Sequence, residues 1–233
     1  METLFSEEPV VSVIIPAFRE GKTIRKVIKD IKSSAAYETQ IIIVDGYSND
    51  GTEEIAKEED VEFVTEQRLG YGRAVRTGLD RAKGDIIVII DADGTYEARD
   101  ISRLSIPLLK DEGDICLASR IGGTILPGAM PGMNFVGNRI FTWLFNIIYR
   151  QRVSDSQTGF RAMTKKASQS LELSVDGMGI STAMLTQAVK KGLRIAEFPT
   201  TYKPRNNHSK SKLNRLKAGC EILGILLSGQ AML

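Results

Sequence analysis

Between Asp85 and Thr95 the chain reads D-I-I-V-I-I-D-A-D-G-T, an apolar run that empties into two carboxylates one residue apart. Residues 86–90, almost all β-branched, predict a strand covered on both faces inside a largely parallel sheet. Alternate strand residues point the same way, so Asp91 and Asp93 at its end can face one hard cation, which would suit a diphosphate. The plainer alternative is a solvated strand end that turns at Gly94. Two further apolar runs end on polar residues: Pro16-Ala17-Phe18-Arg19-Glu20 after the first and Val44-Asp45-Gly46-Tyr47-Ser48 after the second. Asp45 can accept the ring N–H of uracil or guanine, and Phe18 or Tyr47 can pack against the base or ribose. Open α/β sheets bind ligands outside the carboxyl ends of their strands, so three such ends together predict a nucleotide pocket.

The elements that must position these groups follow from periodicity. Residues 10–16, 40–44, 61–65, 85–90 and 114–119 read as strands, and 21–33, 50–59, 72–82 and 100–110 as helices between them. In the first helix Ile24, Val27, Ile28 and Ile31 recur at helical spacing. The alternation is that of βαβ units. Gly122, Gly123, Pro127, Gly128, Pro131 and Gly132 predict a loop where it stops. Residues 134–149 then carry Phe141, Trp143, Leu144, Phe145, Ile147 and Ile148 between Arg139 and Arg150. That fits an interfacial helix on a membrane surface; a helix buried in the domain or at a homodimer contact is the alternative. At 233 residues the chain fits one α/β domain over 1–217, with halves 1–122 and 123–217 and an apolar C-terminal helix over 218–233.

Charge narrows the partners. Thirty-one Lys and Arg against 29 Asp and Glu leave a formal +2, a balance that argues against nucleic-acid binding. From Tyr202 to Lys217, however, Lys203, Arg205, Lys210, Lys212, Arg215 and Lys217 occur with no acid, a tract suited to phosphate or an anionic membrane surface unless it is merely a solvated loop. Cys116 and Cys220 make neither a disulfide framework nor a zinc site, which fits a reducing compartment. Residues 1–9 hold three acids and no basic region, predicting no secretory signal, and Glu221 interrupts the last apolar segment short of the ~18 residues a bilayer span needs. The expected location is cytoplasmic, with peripheral attachment to the cytoplasmic face of the membrane.

The ordered set V-S-V-I-I-P-A-F-R-E, I-I-I-V-D-G-Y-S-N-D-G-T, G-Y-G-R-A-V-R-T-G-L-D-R-A-K-G-D, D-A-D-G-T-Y and D-S-Q-T-G-F-R-A resembles the family 2 inverting glycosyltransferases of the nucleotide-diphospho-sugar (GT-A) fold, over residues 10 to about 217. Within that family the chain is most similar to the dolichyl-phosphate and polyprenyl-phosphate sugar transferases. The stretches P-G-A-M-P-G-M-N-F-V-G-N-R and L-S-V-D-G-M-G-I-S-T look closest to archaeal members that serve protein N-glycosylation.

The resemblance implies an α/β fold with a mostly parallel sheet flanked by helices, and residues 1–122 as the nucleotide-sugar half. It places Pro16, Ala17, Phe18, Glu20, Asp45, Ser48, Gly70, Arg73, Asp91, Ala92 and Asp93 around the donor, with Mg²⁺ or Mn²⁺ on Asp91 and Asp93. Thr95 falls where some relatives offer another metal-facing oxygen. Arg120, Arg139, Arg205 and Lys212 are implied at the acceptor phosphate or in a basic loop over the diphosphate, and Asp155 at the sugar and acceptor site, making Asp93, Arg120 and Asp155 the implied catalytic set. Where relatives often carry an acid, the chain reads Gly179-Ile180-Ser181-Thr182. A phosphate monoester, with a second pKa of about 6, needs no dedicated base to attack C1. The implied reaction moves one sugar to dolichyl or another polyprenyl phosphate, from UDP-GlcNAc or UDP-Glc ahead of GDP-Man. Glycan elongation with Asp155 as base, and a non-catalytic nucleotide-sugar-binding subunit, are the alternatives.

Overall fold

The computed structural model describes residues 9–205 and 215–228. Strands β1 (Val10–Ala17), β2 (Glu38–Asp45), β3 (Glu62–Thr65), β4 (Ile86–Ile89) and β5 (Ile115–Ile125) alternate with helices α1 (Ile24–Ser34), α2 (Thr52–Glu58), α3 (Tyr71–Arg81) and α4 (Asp100–Leu109). The chain continues through α5 (Gly132–Tyr149), β6 (Arg161–Thr164), α6 (Lys165–Ser170), α7 (Ile180–Lys190), β7 (Ile195–Tyr202) and α8 (Arg215–Ser228). The seven strands form one sheet in the order β3-β2-β1-β4-β6-β5-β7.

The β-branched runs form strands because both of their faces are covered. Ile86, Val88 and Ile90 join one core cluster with Ile24, Val27, Ile28 and Ile31 of α1 and Leu104 of α4. Ile87 and Ile89 join the other, with Val75 of α3, Leu185 of α7 and Ile225 of α8. Parallel strands wrapped in this way give the apolar runs seen in the sequence. β1 pairs in parallel with β2 on one side and β4 on the other. The chain therefore winds outward from β1 through β2 to β3, then crosses back to place β4 on β1's free side. That reversal is the topological switch point, and the ends of β1 and β4 open a crevice there.

The second half departs from the sequence reading in three ways. β5 runs on to Ile125, so Gly122 and Gly123 lie within a strand rather than a loop, and the boundary expected at residue 122 falls inside it. Side chains have no room there: a Cβ on Gly123 would meet the Thr200 carbonyl oxygen, and one on Gly122 would lie 2.8 Å from Ser154 Oγ. The β5–β7 register shifts between Ser119 and Thr124 at this place. β6 enters antiparallel to both β4 and β5, and β6, α6, α7 and β7 carry no expectation from the sequence. α8 is a core element as well as an apolar segment, with Ala218, Ile222, Ile225 and Leu226 buried. Among the described residues no helix is long and apolar enough to cross a membrane.

Candidate active site

β4 stops at Ile89, so Asp91 and Asp93 sit on the turn after the strand rather than on the strand itself. Their carboxylates have different partners. The Tyr71 hydroxyl donates to Asp91 Oδ1 at 3.1 Å. Asp93 Oδ1 accepts from the Thr95 amide at 3.1 Å and the Thr95 hydroxyl at 2.7 Å, while Oδ2 pairs with Arg205 Nη2 at 2.7 Å. Thr95 is fully buried and holds Asp93 in place. Burial, followed by the charge of Asp93, pushes the Asp91 carboxyl up to about 6. Burial and the Asp91 charge also raise the Tyr71 hydroxyl well above its ordinary value, which keeps it a donor.

The antiparallel β6 completes the site from behind. A Cβ on Gly159, just before β6, would stand 2.6 Å from Asp91 Oδ2, so only glycine leaves that carboxylate its position. The Gly159 amide donates to the Tyr96 hydroxyl at 3.1 Å, and the Tyr96 ring packs on Phe160 and Tyr202 with centroids 5.1 Å away in each case. Arg161 is fully buried and donates to the Ser181 carbonyl at 3.0 Å and to that of Thr158, tying this turn to the start of α7.

A cavity of about 420 Å³ opens over the switch point. Pro16, Ala17, Phe18, Glu20, Gly70, Asp91, Ala92, Asp93 and Arg205, all expected around the donor or its diphosphate, line it. Gly46 packs between Phe18 and Leu69 at one end. Lys217, the last residue of the basic tract expected to suit phosphate, lines it as well, together with Glu66, Leu69, Tyr71, Gly177, Met178 and Glu221, for which the sequence carried no site expectation. Tyr71 stood within the quoted G-Y-G-R-A-V stretch, but its hydroxyl points to Asp91 only once α3 docks on the sheet.

Other expected residues lie outside this cavity lining. Asp45 is buried and accepts from the Ser48 amide at 2.7 Å and from the Ser48 hydroxyl, while Ser48 Oγ accepts from the Arg19 amide at 2.8 Å. Burial raises the Asp45 carboxyl despite those bonds. The pair shapes the loop behind Phe18. Arg73 and Arg76 both pair with Asp176. Arg120 and Asp155 grip each other: Nε to Oδ2 at 2.7 Å, Nη2 to Oδ1 at 2.9 Å, and the Arg120 amide to Oδ2 at 3.1 Å. Asp155 is wholly buried, and the Arg120 charge acts on Asp91 by lowering its pKa. Tyr47 is exposed, and Arg139 lies on α5 with its guanidinium 5.8 Å from the Phe135 ring centroid. Lys212 and the 206–208 stretch lie outside the described residues.

A divalent cation would find two protein carboxylates here, Asp91 and Asp93. The described residues contain no group of three His, Cys, Asp or Glu side chains placed to hold a metal. Two carboxylates are nonetheless the usual protein share for Mg²⁺ bound together with a diphosphate, when phosphate oxygens and water supply the remaining ligands. Asp93 Oδ2 faces the Arg205 guanidinium, and the two carboxylates have the oxygen donors that would suit a hard metal arriving with a diphosphate.

Residues 12–171 match Glycosyl transferase family 2. The chain belongs to that family. It is 34% identical over 210 residues to glycosyltransferase AglJ of Haloferax volcanii, covering 90% of this chain and 68% of that one. It is 31% identical over 215 residues to the UDP-N-acetylglucosamine–dolichyl-phosphate N-acetylglucosaminyltransferase of Methanococcus voltae, covering 82% and 85% respectively. Among solved structures, glucosyl-3-phosphoglycerate synthase of Mycobacterium tuberculosis, in complex with Mn²⁺, UDP and glucosyl-3-phosphoglycerate, aligns over 96% of this chain and 81% of its own. The TM-score is 0.76 at 23% identity, which establishes the shared GT-A fold. The same enzyme was also solved with Mg²⁺ and UDP.

Proposed function

We propose that this family 2 glycosyltransferase moves one sugar from a nucleotide diphosphosugar to dolichyl or another polyprenyl phosphate, with inversion at C1, in protein N-glycosylation. The observation that carries this reading is the pair Asp91 and Asp93 on the floor of the switch-point cavity, with Phe18 and Leu69 at one end. The names of a dolichyl-phosphate hexose transferase of Haloferax volcanii, 28% identical over 199 residues, and of the Methanococcus relative support a lipid phosphate as acceptor. The second of those names also supports UDP-GlcNAc as donor; UDP-Glc and then GDP-Man follow it in this proposal.

In this reading Phe18 packs on the base or ribose, and the Asp45–Ser48 pair holds the loop that presents Phe18. Asp91 and Asp93 would hold Mg²⁺ or Mn²⁺, which when bound neutralises charge on the leaving diphosphate. Arg205 lies at the mouth between Asp93 and Glu20, where its guanidinium can grip phosphate oxygens. An acceptor phosphate oxygen forms the bond to C1 as the bond from C1 to the diphosphate oxygen breaks, and the nucleoside diphosphate leaves. A phosphate monoester already largely ionised at neutral pH carries out that attack without a protein base. Asp155 is then free to orient Arg120, whose positive charge acts on the metal-binding acids. Glycan elongation, which would need Asp155 as its base, is disfavoured by that burial and pairing.

The acceptor's lipid tail requires a membrane surface. Met133, Val136, Ile140, Trp143 and Ile147 of α5 are each more than half exposed, and their alternating spacing of three and four residues draws one apolar stripe along the helix. Arg139 and Arg150 flank it, suiting an anionic cytoplasmic leaflet.

The test is transfer of labelled sugar from UDP-GlcNAc, UDP-Glc or GDP-Man to dolichyl phosphate, with Mg²⁺ or Mn²⁺, read in the organic extract. Label in the lipid phase from one donor, lost in Asp93→Asn, supports the reading. Folded protein that binds nucleotide yet labels no lipid would remove the acceptor assignment.

A further inference from the structure

One wall of the cavity is explained by neither nucleotide nor metal. It is built by the turn before α7 and by α8, and it brings Gly177, Met178, Ala218 and Glu221 to the cavity. Glu221 Oε2 accepts from the Gly179 amide at 3.0 Å, which fixes the side chain. The turn is cut away to receive it: a Cβ on Gly177 would lie 2.5 Å from Glu221 Oε2, and one on Gly179 would lie 2.9 Å from Glu221 Cγ.

The other acids of the cavity have defined partners. Asp93 is held by Thr95 and Arg205, and Asp91 by Tyr71. Glu20 accepts from the Thr23 hydroxyl at 3.2 Å and faces Arg205, while Glu66 accepts from Thr77 at 2.8 Å and from the Arg68 amide at 3.1 Å. Among the described residues, Glu221 Oε1 accepts no hydrogen bond. The cavity wall thus carries one oriented acceptor oxygen next to the apolar surface of Met178 and Ala218. Carbohydrates ask for that combination, since a pyranose offers hydroxyl or amide hydrogens at its edge and C–H bonds on its face.

We propose that Glu221 reads the transferred sugar, accepting hydrogen bonds from its hydroxyl or N-acyl N–H groups, and so sets donor specificity from α8. The proposal rests on the donor-site reading above. Its chemistry is binding alone: Glu221 takes no proton and forms no bond in the transfer. Lys217, one turn earlier on α8, lines the same cavity beside Ala218.

The experiment is titration calorimetry on wild-type protein and Glu221→Gln, with Mn²⁺ and, separately, UDP, UDP-GlcNAc, UDP-Glc, GDP and GDP-Man. Gln keeps an acceptor for the Gly179 amide but loses the charge, so thermal unfolding should match wild type. A charged hydrogen bond exchanged for a neutral one should weaken the preferred nucleotide sugar about tenfold while the bare nucleotide changes less than twofold. Equal weakening of both, or of neither, overturns the proposal while leaving the donor site standing. Absence of all binding by folded wild type overturns the donor site, and this inference with it. Glu221→Ala serves as a second variant: it should reproduce the nucleotide-sugar loss and also lower the unfolding temperature, because the amide at the start of α7 loses its acceptor.

Discussion

A half-buried carboxylate beside a second carboxylate is expensive to ionise, and Asp91 is in that position, with one tyrosine hydroxyl offsetting part of the cost. With its folded pKa raised to about 6 and an unfolded value near 3.8, the native state binds more protons than the unfolded one between those limits. Its ionisation therefore costs stability as pH rises from about 4 to 6, and the full cost is present above 6. Asp91→Asn in metal-free protein should raise stability at pH 7 by up to about 3 kcal/mol, a gain that fades as pH falls through 6 towards 4. Sugar transfer should be abolished in the same variant, so thermal melts across pH and an activity assay check both halves. Gly159→Ala places a methyl group against Asp91 Oδ2, and a displaced metal-binding carboxylate should cut turnover by about 100-fold, seen as lost kcat and a weaker Mn²⁺ response. Asp155→Asn would leave the Arg120 charge buried without its counterion, at a cost of about 3 kcal/mol in unfolding free energy by denaturant titration. That Asp91 and Asp93 would stand together in a cavity was legible from sequence because both follow one strand end. Tyr71, Gly159 and Glu221 were not, since each meets the site only through tertiary packing, from residues 20 to more than 100 positions away from Asp91 or Asp93.

At the scale of elements, the βαβ half was readable because hydrophobic period and turn residues agree there: the I-x-x-V-I-x-x-I face of α1 is the face the structure buries. β5 was read too short since Gly122 and Gly123 signal a loop unless the approach of Thr200 on β7 is known. β6 escaped notice because R-A-M-T is four residues long, begins on a charge and has no period of its own. The amphipathic reading of α5 is sharper in three dimensions. Thr142 and Phe145 are buried, while the opposite side carries the exposed stripe with Trp143, the chain's single tryptophan. Vesicles containing anionic lipid should therefore shift Trp143 emission to the blue, and added salt should weaken the shift. Ile140→Ser should reduce vesicle binding with little effect on thermal stability, since Ile140 is exposed. A blue shift that instead grows with protein concentration in the absence of vesicles would assign the stripe to a second copy of the chain.

Across the whole molecule, the order β3-β2-β1-β4 puts two unrelated sequence stretches, 16–20 and 91–95, at one crevice, and the antiparallel β6 brings a third, 155–160, in behind them. The first half supplies the cavity lining from 16–20 and 91–93 and the second half its remaining walls, with α8 closing one side. α8 also contributes Ile222, Ile225 and Leu226 to the core, so the cavity wall and the second hydrophobic layer are one structure. The most direct measurement is the structure of the lipid product made from purified protein, metal, dolichyl phosphate and the preferred donor, by mass and anomeric configuration. The proposed reaction predicts dolichyl phosphate plus one sugar, a single phosphate, and C1 inverted relative to the donor. A product with two phosphates, or with C1 retained, would contradict direct attack of the acceptor phosphate on C1.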